Sequence, residues 1–156
     1  MPALGMSGCR DVMSMRLVLL PGMRVLPSAS MQNPANLQVR SEALTLAVQT
    51  YRLTASFPRH ERYGLSSQMT RAAVSVGSNI SEGCGRQGDR AMIAFLHQAM
   101  GSLNELEFQL EVAKRLAYFT ESDAAAVLTT LRGTRRMLAR LLVALRKRLA
   151  QSVDRP

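Results

Sequence analysis

Arg132, Arg135, Arg136, Arg140, Arg146, Lys147 and Arg148 crowd the end of this chain, and no acidic residue lies between Ala124 and Val153. Wound as a helix, all of them but Arg148 fall within an arc of roughly 140°. Arginine forks onto phosphate in two-point contacts, so the chemistry this pattern offers is anion binding rather than bond making. A solvated helix face can also be charged, but it usually mixes signs. A one-signed face leaves repulsion between neighbouring turns uncompensated. The missing counter-charge is then an anionic partner, either nucleic acid or an acidic protein surface. Tyr51, Phe57, Tyr63, Phe95, Phe108, Tyr118 and Phe119 are not interleaved with the stripe. That argues against base stacking of the single-strand type.

Other constellations point away from catalysis. Gly83, Gly85 and Gly88 lie between two helical patterns, where a phosphate could sit at a helix N-terminus. No strand precedes them and no Gly-Lys-Ser/Thr follows, so they read as an inter-helix turn. His60 and His97 are isolated, and neither has the Glu three residues earlier that a di-iron bundle uses. Cys9 and Cys84 form neither a metal set nor a disulfide framework, which suits a reducing cytoplasm. No catalytic residue, metal or cofactor is expected. Arg71, Ser75, Ser78 and Glu82 recur at i, i+4, i+7 and i+11 as a polar stripe, which Gln68 and Arg86 extend, with Asn79 at the border of the apolar arc. Small residues there let helices approach, and Arg71 is positioned to meet a carboxylate. Glu107 falls inside an apolar arc, so it needs a partner, with Arg71, Asn79 or a group on a neighbouring subunit as candidates.

The elements that carry these residues are helices. The 156-residue chain is long enough for one domain with a core. Aromatics make up only 4% and tryptophan is absent, so aliphatic side chains build that core. Net charge is +9, and of the 20 basic residues only Lys114 and Lys147 are lysine. Residues 1–36 hold six of the ten methionines and Pro2, Pro21, Pro27 and Pro34. They read as a disordered arm or an upstream translation artefact, with Met31 a plausible start. The short run Leu17-Val18-Leu19-Leu20 does not make a signal peptide, and no run approaches a membrane span.

From Leu37 the apolar period is helical. In helix 1, Leu37, Leu44, Val48, Tyr51 and Ala55 share the face expected to be buried. Val39, Leu46 and Leu53 form a second apolar line on the opposite side, either scattered exposed residues, which are normal, or the subunit contact taken here. Pro58 stops this helix. Helix 2 should start near Ser66 or Ser67 as N-cap, bury Met69, Ala72, Ala73, Val76 and Ile80, and end in the glycines. Helix 3 runs from an Asp89 cap to about Tyr118. It buries Met92, Phe95, Leu96, Ala99, Met100, Leu103, Leu106, Leu110 and Ala113. Helix 4 runs from about Ser122 to Ala150 on Val127, Leu131, Leu138, Leu141, Leu142, Leu145 and Leu149. The expected architecture is all-α: an antiparallel up-and-down four-helix bundle over residues 37–150, with a short tail over 151–156.

The order and spacing of Phe57-Pro58, Tyr63-Gly64-Leu65, Gln68, Arg71-Ala72-Ala73, Ser78-Asn79-Ile80-Ser81-Glu82-Gly83, Arg86, Phe95-Leu96, Gly101-Ser102-Leu103 and Glu105-Leu106-Glu107 resemble a known family. It is the bacterial four helix bundle protein family, first noticed in reading frames within intervening sequences of 23S rRNA genes. The resemblance implies a non-enzymatic scaffold that assembles into rings, with a pentamer the expected form. A more distant similarity, to the accessory protein of diversity-generating retroelements, implies nucleic acid and a reverse transcriptase as partners. Residues and resemblance together give a basic, oligomeric, cytoplasmic scaffold. It binds RNA or DNA mainly through phosphates, by Arg132, Arg135, Arg136, Arg140, Arg146 and Lys147. The alternative is a protein–protein adaptor for an acidic partner, without nucleic acid.

Overall fold

The structure, a computed structural model, describes residues 34–153. The N-terminal arm and the alternative start at Met31 expected from the sequence lie outside these residues. Four helices follow one another: α1 (Pro34–Thr54), α2 (Leu65–Gly85), α3 (Asp89–Arg115) and α4 (Glu121–Val153), with a single 3₁₀ turn over Arg59–Tyr63 between the first two. Each packs against its neighbour in sequence, and α1 closes the square against α4, while the diagonal pairs do not meet. This is the antiparallel up-and-down bundle expected, with α1 starting three residues before Leu37 and α4 running three past Ala150.

The core is mainly aliphatic, with Phe57 its one buried aromatic among the described residues. Leu96, Leu103, Leu106, Leu131 and Leu138 are fully enclosed, with Met69, Val76 and Ile80 of α2 facing them. Helix 1, however, sits the other way round from its expected orientation. Val39 (1% exposed) and Leu46 (0%) lie in the core with Leu53, whereas Leu44 (67%), Val48 and Tyr51 face outward. Val39, Leu46 and Leu53 therefore cannot be a subunit contact. The buried line is completed by Ala43, Thr50, Thr54 and Phe57. Its two threonines conceal it in the sequence. Thr50 Oγ1 donates to the Leu46 carbonyl at 2.8 Å, and Thr54 Oγ1 to the Thr50 carbonyl at 2.9 Å. With the hydroxyl satisfied inside its own helix, each threonine packs almost as an apolar side chain. Small Ala43 also lets α1 approach α2 closely at Gly77.

The helix ends are fixed by side chains from neighbouring segments. At α2 neither Ser66 nor Ser67 is the cap. The helix begins at Leu65, whose N–H donates to Glu61 Oε2 at 2.8 Å. Tyr118 Oη donates to the other oxygen of the same carboxylate at 2.9 Å, so Glu61 ties the 3₁₀ turn to the far end of α3. These two hydrogen bonds, with His60 nearby, hold the Glu61 carboxyl below its ordinary value. Phe57, Tyr118 and Phe119 close this end of the bundle, with Phe57 stacked on Phe119 at 6.1 Å between ring centroids. Asp89 is the first residue of α3 rather than its cap, preceded by Gly88 at φ 88°. Thr120 does cap α4, in a reciprocal pair: Asp123 N–H donates to Thr120 Oγ1 (3.3 Å) and Thr120 N–H to Asp123 Oδ2 (2.9 Å).

Candidate nucleic-acid interface

Helix 4 owes its orientation to its apolar residues. Ala124, Val127, Leu131, Leu138, Leu141, Leu142 and Leu145 are buried against α1 and α3. That burial turns the basic side chains outward and to the flanks. The structure divides the six predicted contact residues in two. Arg132, Arg136, Arg140 and Lys147 are exposed, and among the described residues no acid reaches them within ion-pair distance. Arg135 and Arg146 lie on the flank towards α3 and are engaged there. Arg135 Nη2 donates to Glu107 Oε2 at 2.8 Å and to Asn104 Oδ1 at 3.0 Å. Arg146 Nη2 donates to His97 Nε2 at 2.8 Å, a bond that needs the neutral imidazole as acceptor. Arg148, outside the predicted arc, pairs with Asp89 at the start of α3.

Glu107 is thus not a buried acid. It sits at the edge of the α3 apolar arc with its carboxylate half-exposed, and its partner is Arg135, not Arg71 or Asn79. The α2 stripe is mostly self-contained. Asn79 Nδ2 donates to the Ser75 carbonyl (2.9 Å) and to Ser75 Oγ (3.2 Å), and Ser102 Oγ of α3 donates to Ser75 Oγ at 3.0 Å. Glu82 pairs with Arg86 one turn on. Ser78 is exposed, and Arg71 stands exposed in a furrow beside Tyr51 and Glu105, with no ion pair among the described residues. These contacts lock α2 to α3 and bring no nucleophile to a base.

Gly83 shows how close that lock is. A Cβ there would stand 2.9 Å from Met92 Sδ and 3.0 Å from Phe95 Cβ. Beside it Cys84 is buried, and burial pushes its thiol pKa up, away from a reactive thiolate. Among the described residues, no group of three His, Cys, Asp or Glu side chains converges as a metal would need. None of the described helices is long and apolar enough to cross a membrane.

Two surface features escaped the sequence reading. One is an apolar face on the outer side of α1 and α2. Leu44, Val48 and Tyr51 stand exposed on α1, Val74 on α2, and Ala43, Ala73 and Gly77 line the groove between the helices. The other is Phe108, 70% exposed on α3 next to the Glu107–Arg135 pair. Its omission from the α3 apolar arc was the available signal.

Comparison with known proteins agrees with the architecture. A protein from Bacteroides thetaiotaomicron, described as of unknown function and from the S23 ribosomal protein family, has a similar crystal structure. It superposes with a TM-score of 0.64 at 24% identity, over 69% of this chain and 97% of that one. At that identity the likeness speaks for the fold alone. No curated protein matches the chain. The family model described as 23S rRNA-intervening sequence protein matches residues 35–140, from the first turns of α1 to the middle of α4. The chain belongs to that family.

Proposed function

We propose that this protein is a non-enzymatic, basic, oligomeric scaffold that binds nucleic acid chiefly through phosphate contacts. One observation carries the reading: Arg132, Arg136, Arg140 and Lys147 share the outward side of α4 without acidic partners among the described residues. Four like charges on one helix face repel one another, and a polyanion relieves that repulsion. Arg135 and Arg146, tied to α3, border the patch. Assembly multiplies such contacts through effective concentration. The exposed apolar face of Leu44, Val48, Tyr51 and Val74 is the surface we assign to it, in place of the buried Val39, Leu46 and Leu53. The expected assembly is a ring, a pentamer by the family resemblance. A cytoplasmic location completes the reading: the two cysteines of the chain make no disulfide framework, which suits a reducing compartment.

The test is a salt series. Affinity for duplex DNA or RNA should fall with a log–log slope near −0.9 per phosphate neutralised. Replacing Arg132, Arg136 and Arg140 together with Ala should flatten the slope while the helical circular dichroism and unfolding midpoint stay put. If wild-type protein retards neither RNA nor duplex DNA at about 50 mM salt, where such contacts are strong, the reading fails. The basic face would then belong to an acidic protein partner, with a reverse transcriptase the first to try.

A further inference from the structure

Phe108 has no place in the core, and its surroundings are charged. The Arg135 hydrogen bonds to Asn104 and Glu107 fix the register between α3 and α4, and the Arg146–His97 bond repeats that register about ten residues along. Residue 107 therefore stands level with residue 135 across the seam. Phe108 stands level with the turn that carries Arg132 and Arg136. Asn104 and Phe108 are one turn apart on α3, as Arg132 and Arg136 are on α4. All four are exposed. Of the acids around Phe108 on α3, Glu107 is paired with Arg135 and Glu111 with Arg115, so these two offer little repulsion to an incoming anion, while Glu105 accepts a hydrogen bond from Gln109 Nε2.

An exposed aromatic ring level, along the bundle, with guanidinium groups of the next helix that have no ion pair among the described residues suits a ligand with both a flat apolar face and a negative charge. A nucleotide in an unpaired strand presents both. A duplex presents only its phosphates from the side, because its bases are stacked inside. In the sequence no aromatic falls within the basic stripe, and this spoke against stacking. The fold supplies the aromatic from the neighbouring helix.

We propose that the α3–α4 seam binds single-stranded nucleic acid, with Phe108 stacking on one base and Arg132 and Arg136 taking the adjacent phosphates. This rests on the nucleic-acid reading above and narrows its substrate to unpaired strands. The full-length protein is titrated into a fluorescein-labelled, unstructured RNA 20-mer and, separately, into the same sequence annealed to its complement. Phe108→Ala should weaken single-strand binding by roughly 5- to 150-fold, the loss of one base–aromatic stack. It should leave duplex binding within about twofold, since phosphate contacts supply that affinity. Phe108→Trp should restore the single-strand affinity.

Equal effects on both ligands, or no effect on either, overturn the proposal. So does a fall in oligomer mass by light scattering in Phe108→Ala with both affinities dropping together, which would make Phe108 a contact between copies. Duplex binding that is intact and indifferent to Phe108, with no gain on single strands, overturns this inference alone. No binding of wild type to either ligand at low salt overturns the wider reading and this one with it.

Discussion

Glu107 and Arg135 show how a residue's chemistry depends on its register. From sequence alone one is an acid inside an apolar arc and the other a free phosphate ligand. In the fold each answers the other across the α3–α4 seam at 2.8 Å. Helical period places a side chain to within a fraction of a turn, and Glu107 lies at the margin of its arc, where that fraction decides between core and surface. Residues at the centre of an arc are legible in sequence. Leu138 lies in the middle of the α4 leucine face and is fully buried, while Arg136 and Arg140 are exposed on the opposite side. Leu138→Ala should cost about 2–5 kcal/mol, the range for emptying a well-packed leucine site. Arg136→Ala and Arg140→Ala should each change stability by less than about 0.5 kcal/mol, as exposed positions usually do. A urea titration checks the ranking; the reverse order would mean that α4 is rotated about its axis.

At the scale of elements, the buried faces of helices 2, 3 and 4 were readable, save that Phe95, Met100 and Leu149 are only half-buried, and that of helix 1 was not. Helices 2, 3 and 4 each carry a single apolar arc, so burial has one solution. Helix 1 carries two, and the one with fewer large residues is the one buried. Packing favours the side where Ala43, Thr50 and Thr54 let neighbouring helices come close. A count of apolar residues at helical spacing does not register a threonine whose hydroxyl is already satisfied. The caps were equally hidden where they come from elsewhere. Glu61 closes α2 from the preceding 3₁₀ turn and receives Tyr118 from beyond α3, a contact spanning 57 residues of chain. This tie carries a pH dependence. The Glu61 pKa is depressed in the folded protein from its ordinary value of 4.5. Its stabilisation is therefore fully present above about pH 4.5 and is lost as pH falls through the lower, folded value. Glu61→Gln should be less stable than wild type at pH 7. Thermal melts across an acid series should show that gap closing below about pH 4.5. A gap that is constant with pH would mean that the carboxylate's charge plays no part in the tie.

For the whole molecule, the inversion of α1 relocates any assembly surface. Leu46 faces the core, so Leu46→Glu should unfold the bundle by burying an unpaired charge. Leu44 faces outward, so Leu44→Glu should leave the helical signal and midpoint intact while lowering the particle mass measured by light scattering. An unchanged mass in Leu44→Glu would move the interface off the α1–α2 face. Ionic strength also acts on this molecule in two opposing ways. The unrelieved repulsion among Arg132, Arg136, Arg140 and Lys147 is a strain on α4 that dissolved ions screen, with a reach of about 10 Å at 0.1 M salt. The same ions compete for the side chains when a polyanion is present. The free protein should thus gain resistance to heat as salt is raised, while its hold on a polyanion loosens. An anionic ligand at low salt takes over the task of the dissolved ions, so α4 is tightened either by its surroundings or by its cargo.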